Sequence, residues 1–355
     1  MNYFRINLAF LLCLGVFSTL FAKVQENSKK IHKEIEVIPT ALVEIENAFG
    51  DLNISSWDEN RVVIDVLITV KGRNPKSVQE KLDAIEILFS LDKEKVMAKT
   101  KIEENWGFKW FSSSAISYKI DYSIKLPRTN SVDLTNDYGT IRLNSLKGQA
   151  TINCDYGKMI LGDLYAPNNV LNFDYTSNST IDFLQGGKIN ADYSSFDIEK
   201  AGDIELIADY TNASFDTVNT INFNNDYGKI LIENIGTLEG NGDYLTLKCG
   251  TVNNLLSLEN EFGLIQVKRI NASVKEVDIN SEYTSIQLGI DENWSFSYEI
   301  NLEYAGFRSS LPLDHSIENN RATEKYFKGI YNPQTNLSTL KITSEFGGVK
   351  INPSN

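Results

Sequence analysis

Apolar positions in this chain recur at fixed offsets from a repeated acid–aromatic–small triplet. The triplets are Asp137-Tyr138-Gly139, Asp155-Tyr156-Gly157, Asp174-Tyr175-Thr176, Asp192-Tyr193-Ser194, Asp209-Tyr210-Thr211, Asp226-Tyr227-Gly228 and Asp243-Tyr244-Leu245. Glu261-Phe262-Gly263, Glu282-Tyr283-Thr284 and a weaker Glu303-Tyr304-Ala305 continue them. After the aromatic the third, fifth and eighth residues are usually apolar, as in Ile141, Leu143, Leu146 and again in Ile230, Ile232, Ile235. In most repeats the fourth residue before it is apolar as well: Leu134, Ile152, Leu171, Ile189, Leu206, Phe223, Leu258, Ile279. A step of two between inward positions is the strand period, and no helical period runs through the region. Each repeat of about 18 residues therefore reads as two short strands meeting at a corner, and a period so short points to a solenoid.

The predicted fold is all-β: a single-stranded parallel β-solenoid, coiling right-handed by the usual preference, with rungs about 4.8 Å apart. One rung cannot cover its own ordering entropy, so burial between stacked rungs must supply the rest and the ends need caps. The glycines of the triplets are expected to carry the corner's backbone angles. The aromatics share the parity of the inward positions, which predicts corner packing with the hydroxyl reaching out.

The divisions follow from where the pattern starts and stops. Residues 1–22 read as a signal peptide, with Arg5 before an apolar run from Ile6 to Phe21 and Ala22 as the last residue before cleavage. Cys13 lacks the small neighbours of a lipoprotein site. Residues 23–35 read as a flexible leader, 36–59 as a first rung, and 60–127 as an inserted sheet with one helix that caps the stack. That helix starts at Pro75 with Asn74 as N-cap. Residues 128–290 form the repeats, 291–340 an irregular β insertion, and 341–355 the final rung, around Glu345-Phe346-Gly347.

Charge narrows the possible partners. The net charge of −13 becomes −14 when the single positive charge of residues 1–22 is removed. Such a surface repels nucleic acid and anionic lipid. Cys154 and Cys249 fall five rungs apart at inward positions, far beyond disulfide reach, and read as core residues. An exported chain without disulfides fits a bacterial envelope. No transmembrane span is expected in the mature chain.

The layout resembles the bacterial "putative adhesin" family of unknown function. The likeness rests on the Asp226-Tyr227-Gly228-Lys229-Ile230-Leu231-Ile232 pattern, on Ile124-Lys125-Leu126-Pro127 before the repeats, and on the closing Ile342 to Ile351. It covers roughly residues 36–353 and implies a surface or periplasmic interaction role, with a protein or glycan partner in the cell envelope. It brings no catalytic residue to transfer.

Three constellations invite a functional reading. The acids of the triplets line one edge, either as a cation- or glycan-binding row or as turn caps. The aromatics line a second column. Trp106, Phe108, Trp110 and Phe111 sit where a turn is normally polar, and either display rings to a partner or cover the end of the core. Trp294, Phe296 and Tyr298 pose the same choice near the other end. Catalytic residues, metal ligands and cofactors are not expected: the two histidines, His32 and His315, share no context, and no nucleophile elbow, phosphate loop or zinc motif is present. The expected function is a non-enzymatic, exported, adhesin-like interaction or structural module. The alternatives are a carbohydrate-active β-helix enzyme and a glycan- or cation-binding module.

Overall fold

The computed structural model describes residues 24–103 and 116–354. Among the described residues the chain is all-β apart from the helix Pro75–Asp83, and the strands join in one continuous sheet of 24. Asn74 caps the helix as its sequence predicts, its side chain accepting hydrogen bonds from the backbone N–H groups of Lys76 and Ser77.

Successive repeats pair in parallel and in register. Asp137 lies opposite Asp155, Asp192 opposite Asp209, and Asp209 opposite Asp226. Leu206, Phe223, Ile189 and Leu171 meet on the inside in the same way. The interior is a continuous apolar core from Val43 and Ile45 at one end to Ile300 and Leu302 at the other, with buried polar side chains such as Asn136 and Asn225 at its corners. Cys154 and Cys249 belong to it as free thiols, and burial pushes both up to about 12.

The sheet is mixed, however, not wholly parallel, and the antiparallel pairs sit at its two ends. At the first end, Lys95–Ile102 and Ser117–Pro127 lie on the rung made by Leu42–Ala48 and Leu52–Trp57. Ile85–Leu91 then pairs antiparallel with the former, and Arg61–Gly72 with the latter. Gln25–Glu36, expected as a flexible leader, is a 12-residue strand antiparallel to Arg61–Gly72. Its Ile31 and Ile35 pack on the core, an alternation too sparse among lysines and glutamates to stand out.

The other end departs from chain order. Ser338–Glu345 and Gly348–Pro353 stack directly on Glu276–Ile290. Their opposite edge is taken by Phe296–Glu303 and Gly306–Ser309. The segment expected to be the final rung is therefore the penultimate one in space, slotted between rungs that precede it in sequence. Part of the expected irregular insertion is itself the outermost rung. Glu324–Tyr331 covers it antiparallel, and Asp314–Asn320 pairs antiparallel with that strand. Trp294, Phe296 and Tyr298 are fully buried there, with the Trp294 indole N–H donating to the Val274 carbonyl at 2.7 Å, so they cover the end of the core.

Candidate functional site

The corner is where structure and parity part company. The aromatic of every triplet adopts a left-handed backbone, with φ between 48° and 63° from Phe49 to Phe346. That single residue turns the chain and throws its side chain outward, so the expected inward packing of the rings is wrong. The rings are 39–56% exposed. The glycines beside them do not supply the positive φ; they allow rungs to approach. A Cβ on Gly139 would lie 1.7 Å from the Gly50 carbonyl oxygen.

Left-handed geometry costs a bulky L-residue about 1–2 kcal/mol, which is why glycine or asparagine usually takes such positions. Stacking offsets that cost here. Twelve rings form one column, in the order Phe49, Tyr138, Tyr156, Tyr175, Tyr193, Tyr210, Tyr227, Tyr244, Phe262, Tyr283, Phe346, Tyr304. Neighbours lie 4.7–5.2 Å apart, centroid to centroid, and within 2–9° of parallel. Each contact contributes about 0.5–1.5 kcal/mol. Tyr118 closes the first end edge-on against Phe49. Phe346 standing before Tyr304 repeats the inverted rung order.

Because each internal ring has a neighbour on both faces, the column offers solvent ring edges and hydroxyls. A sugar platform needs a free face, and the internal rings have none.

Beneath the rings many inner corners are complementary in size, although Phe173 with Thr176 and Ser281 with Thr284 depart from the pattern. Where the residue two before the aromatic is Asn136, Cys154, Asn225, Asn260 or Ser344, the residue after the aromatic is glycine. A Cβ on Gly228 would sit 2.1 Å from Asn225 Oδ1, and one on Gly263 would sit 2.7 Å from Asn260 Nδ2. Where the earlier residue is Ala191 or Ala208, Ser194 or Thr211 fills the space. The Ser194 backbone N–H then donates to Thr211 Oγ1 at 3.1 Å.

Alongside the rings runs the carboxylate column. Its acids do not cap their own turns, as one of the two sequence readings had it. They reach the adjacent rung: Asp155, Asp174, Asp192 and Asp226 each accept from the backbone N–H of the next acid in the column, at 2.8–3.2 Å. Among the described residues no three acidic, histidine or cysteine groups converge as metal ligands. Desolvation, with the charge of neighbouring carboxylates, raises Asp137 and Asp174 above the usual range. For these groups the folded state binds protons more tightly than the unfolded state, so their contribution to stability falls as pH rises through the raised pKa. Asp51, Asp291 and Glu299 are lowered and act in the opposite sense as pH drops. At pH 7 the column repels itself, so the melting temperature should rise from 20 to 500 mM NaCl. Asp209→Asn should stabilise by about 0.5 kcal/mol in low salt and by less in high salt. A melting temperature that falls with salt in both proteins would contradict this.

Trp106, Phe108, Trp110 and Phe111 lie outside the described residues. His32 pairs with Asp65 at 2.7 Å, and His315 meets the Tyr298 hydroxyl at 2.8 Å, so the structure does not bring the two histidines together.

The chain is similar to solved chains named as bacterial adhesins. One, a "putative cell adhesion protein" of Clostridium sporogenes, is 10% identical, covers 92% of this chain and 100% of its own, and has a TM-score of 0.18. A "putative adhesin" of Parabacteroides distasonis is 12% identical over 74% of this chain and 93% of its own, with a TM-score of 0.32. A "putative lipid binding protein" of the same species is 13% identical over 74% and 92%, with a TM-score of 0.28. No family model and no curated protein matches the chain. No residue role is carried over from these proteins. Among the described residues no helix is long and apolar enough to cross a membrane.

Proposed function

We propose that this chain is a non-enzymatic β-solenoid exported to the bacterial envelope, where it acts as an adhesin-like interaction module. The observation that supports this most is the column itself. Rungs reduced to strands and corners repeat one exposed motif, a tyrosine edge beside a carboxylate, over roughly 50 Å of axis. A periodic flank suits a long or repetitive partner better than a small substrate. The antiparallel strands at both ends are read as caps. They occupy edges that would otherwise extend the parallel ladder from chain to chain.

Hydrolysis of a glycan by paired acids needs one acid held neutral near working pH and a cleft that orients the substrate. Three acids of the column, Glu261, Glu282 and Glu345, line a hollow of about 200 Å³, so cleavage is assayed directly. The test compares the mature chain with Tyr193→Ser/Tyr210→Ser for binding to isolated envelope fragments, alongside assays for polysaccharide cleavage. The reading expects retention by the native chain, at least tenfold weaker retention by the variant with its fold intact, and no cleavage. Cleavage abolished by one carboxylate substitution would make the chain an enzyme instead.

A further inference from the structure

The flank on the other side of the corner carries opposite chemistry. Four residues beyond the aromatic, five consecutive rungs present Lys248, Gln266, Gln287, Lys350 and Arg308 outward. Register places Gln266 opposite Gln287, Gln287 opposite Lys350, and Lys350 opposite Arg308. Gln266 Nε2 donates to Gln287 Oε1 at 3.4 Å, which joins the two amides across the rungs. Beside this row lies a groove of about 620 Å³, lined among others by Asn234, Lys268, Arg269 and Asn352.

Gly250 and Gly289 leave its floor bare. A Cβ there would meet the Glu233 or Lys268 carbonyl oxygen at 2.3 or 1.9 Å, so the opening is built into the backbone. Lys268 and Arg269 are engaged by Glu233 and Asp291. Lys248, Lys350 and Arg308 have no acidic partner within 4.0 Å among the described residues. In a chain of 34 basic and 47 acidic residues, a row of unengaged cations with interleaved amides is a local reversal of charge.

We propose that the cationic row, with the groove beside it, binds a single chain of an acidic oligosaccharide running along the stack axis. Cations spaced over about 20 Å match carboxylates repeated along a polymer, where one phosphate would engage only one of them. Glutamine and asparagine amides both donate and accept, as vicinal hydroxyls require. The groove lining holds no aromatic side chain of the kind that anchors protein interfaces, and its aliphatic members Val267 and Leu288 are buried, with only Pro353 exposed. Nucleic acid is repelled by the rest of the molecule. The site is on a different flank from the tyrosine column and does not depend on that column's role.

The mature chain titrated calorimetrically with a 1,4-linked galacturonate hexamer should bind it, more weakly in 200 mM than in 50 mM NaCl. Lys248→Ala/Lys350→Ala should lower affinity at least tenfold, while Lys188→Ala, on the other flank, should leave it unchanged. Both substitutions are at exposed positions, and the melting temperature checks that each variant folds. Failure to bind the hexamer would overturn the proposal. So would equal affinity for neutral cellohexaose, or equal affinity for a glutamate hexapeptide, the latter meaning undirected charge attraction.

Discussion

Gly228→Thr should destabilise the fold by about 3 kcal/mol, and adding Asn225→Ala should restore part of it, the approach to the Thr211 carbonyl remaining. The single substitution drives a Cβ to 2.1 Å from Asn225 Oδ1 and 2.6 Å from the Thr211 carbonyl oxygen. Asn225 is fully buried, and both of its side-chain polar atoms lack a partner, so nothing compensates for keeping it. Removing it converts this corner into the arrangement of the rung before, where Ala208 and Thr211 share the space. Thr211 shows what the new hydroxyl would do: its Oγ1 donates to the Ala191 carbonyl oxygen at 2.8 Å. Urea midpoints of the two singles and the double give the coupling. A double variant as unstable as the sum of the singles would show that the corner is not governed by complementary size.

The second large effect separates strain from stacking. Tyr210 has φ 51° and stacks on Tyr193 and Tyr227 at 4.9 Å. Tyr210→Val loses both contacts and leaves a β-branched residue in a region it resists, for a loss of about 3 kcal/mol. Tyr210→Gly loses the same contacts but relieves the strain, so it should destabilise by only about 1 kcal/mol. The order of the two is the prediction. If valine were tolerated as well as glycine, the left-handed corner would not be the element that sets the ring outward.

These two corners also show what the chain reveals by itself. The period, the inward Leu206 and Phe223, the Asn74 cap and the core cysteines follow from spacing and side-chain chemistry, and the structure places them accordingly. The direction of Tyr210 does not follow. Alternation holds only while the backbone stays extended, and a single positive φ reverses it. Nothing in Asp-Tyr-Thr announces that angle, because aromatics seldom adopt it. Rung order is equally silent. Leu340, Ile342, Val349 and Ile351 carry the same pattern as every other repeat, so the sequence says that residues 338–353 form a rung but not which rung they touch. The antiparallel hairpin between residues 314 and 331 decides it by covering the outermost rung and sending the chain back into the slot. The cationic row of Lys248, Lys350 and Arg308 was hidden for a related reason. Its members are scattered in sequence and meet only through that threading.

Distances between spin labels along the carboxylate column test the stacking most directly. With Cys154 and Cys249 replaced by alanine, one label at position 155 is paired in turn with labels at 209, 282, 345 and 303. In-register rungs predict backbone separations of about 14, 34, 38 and 43 Å, rising with rung number rather than with sequence distance. Position 345 must therefore lie nearer to 155 than position 303 does. A longer distance to 345 than to 303, or separations that do not grow by a constant step per rung, would contradict the account.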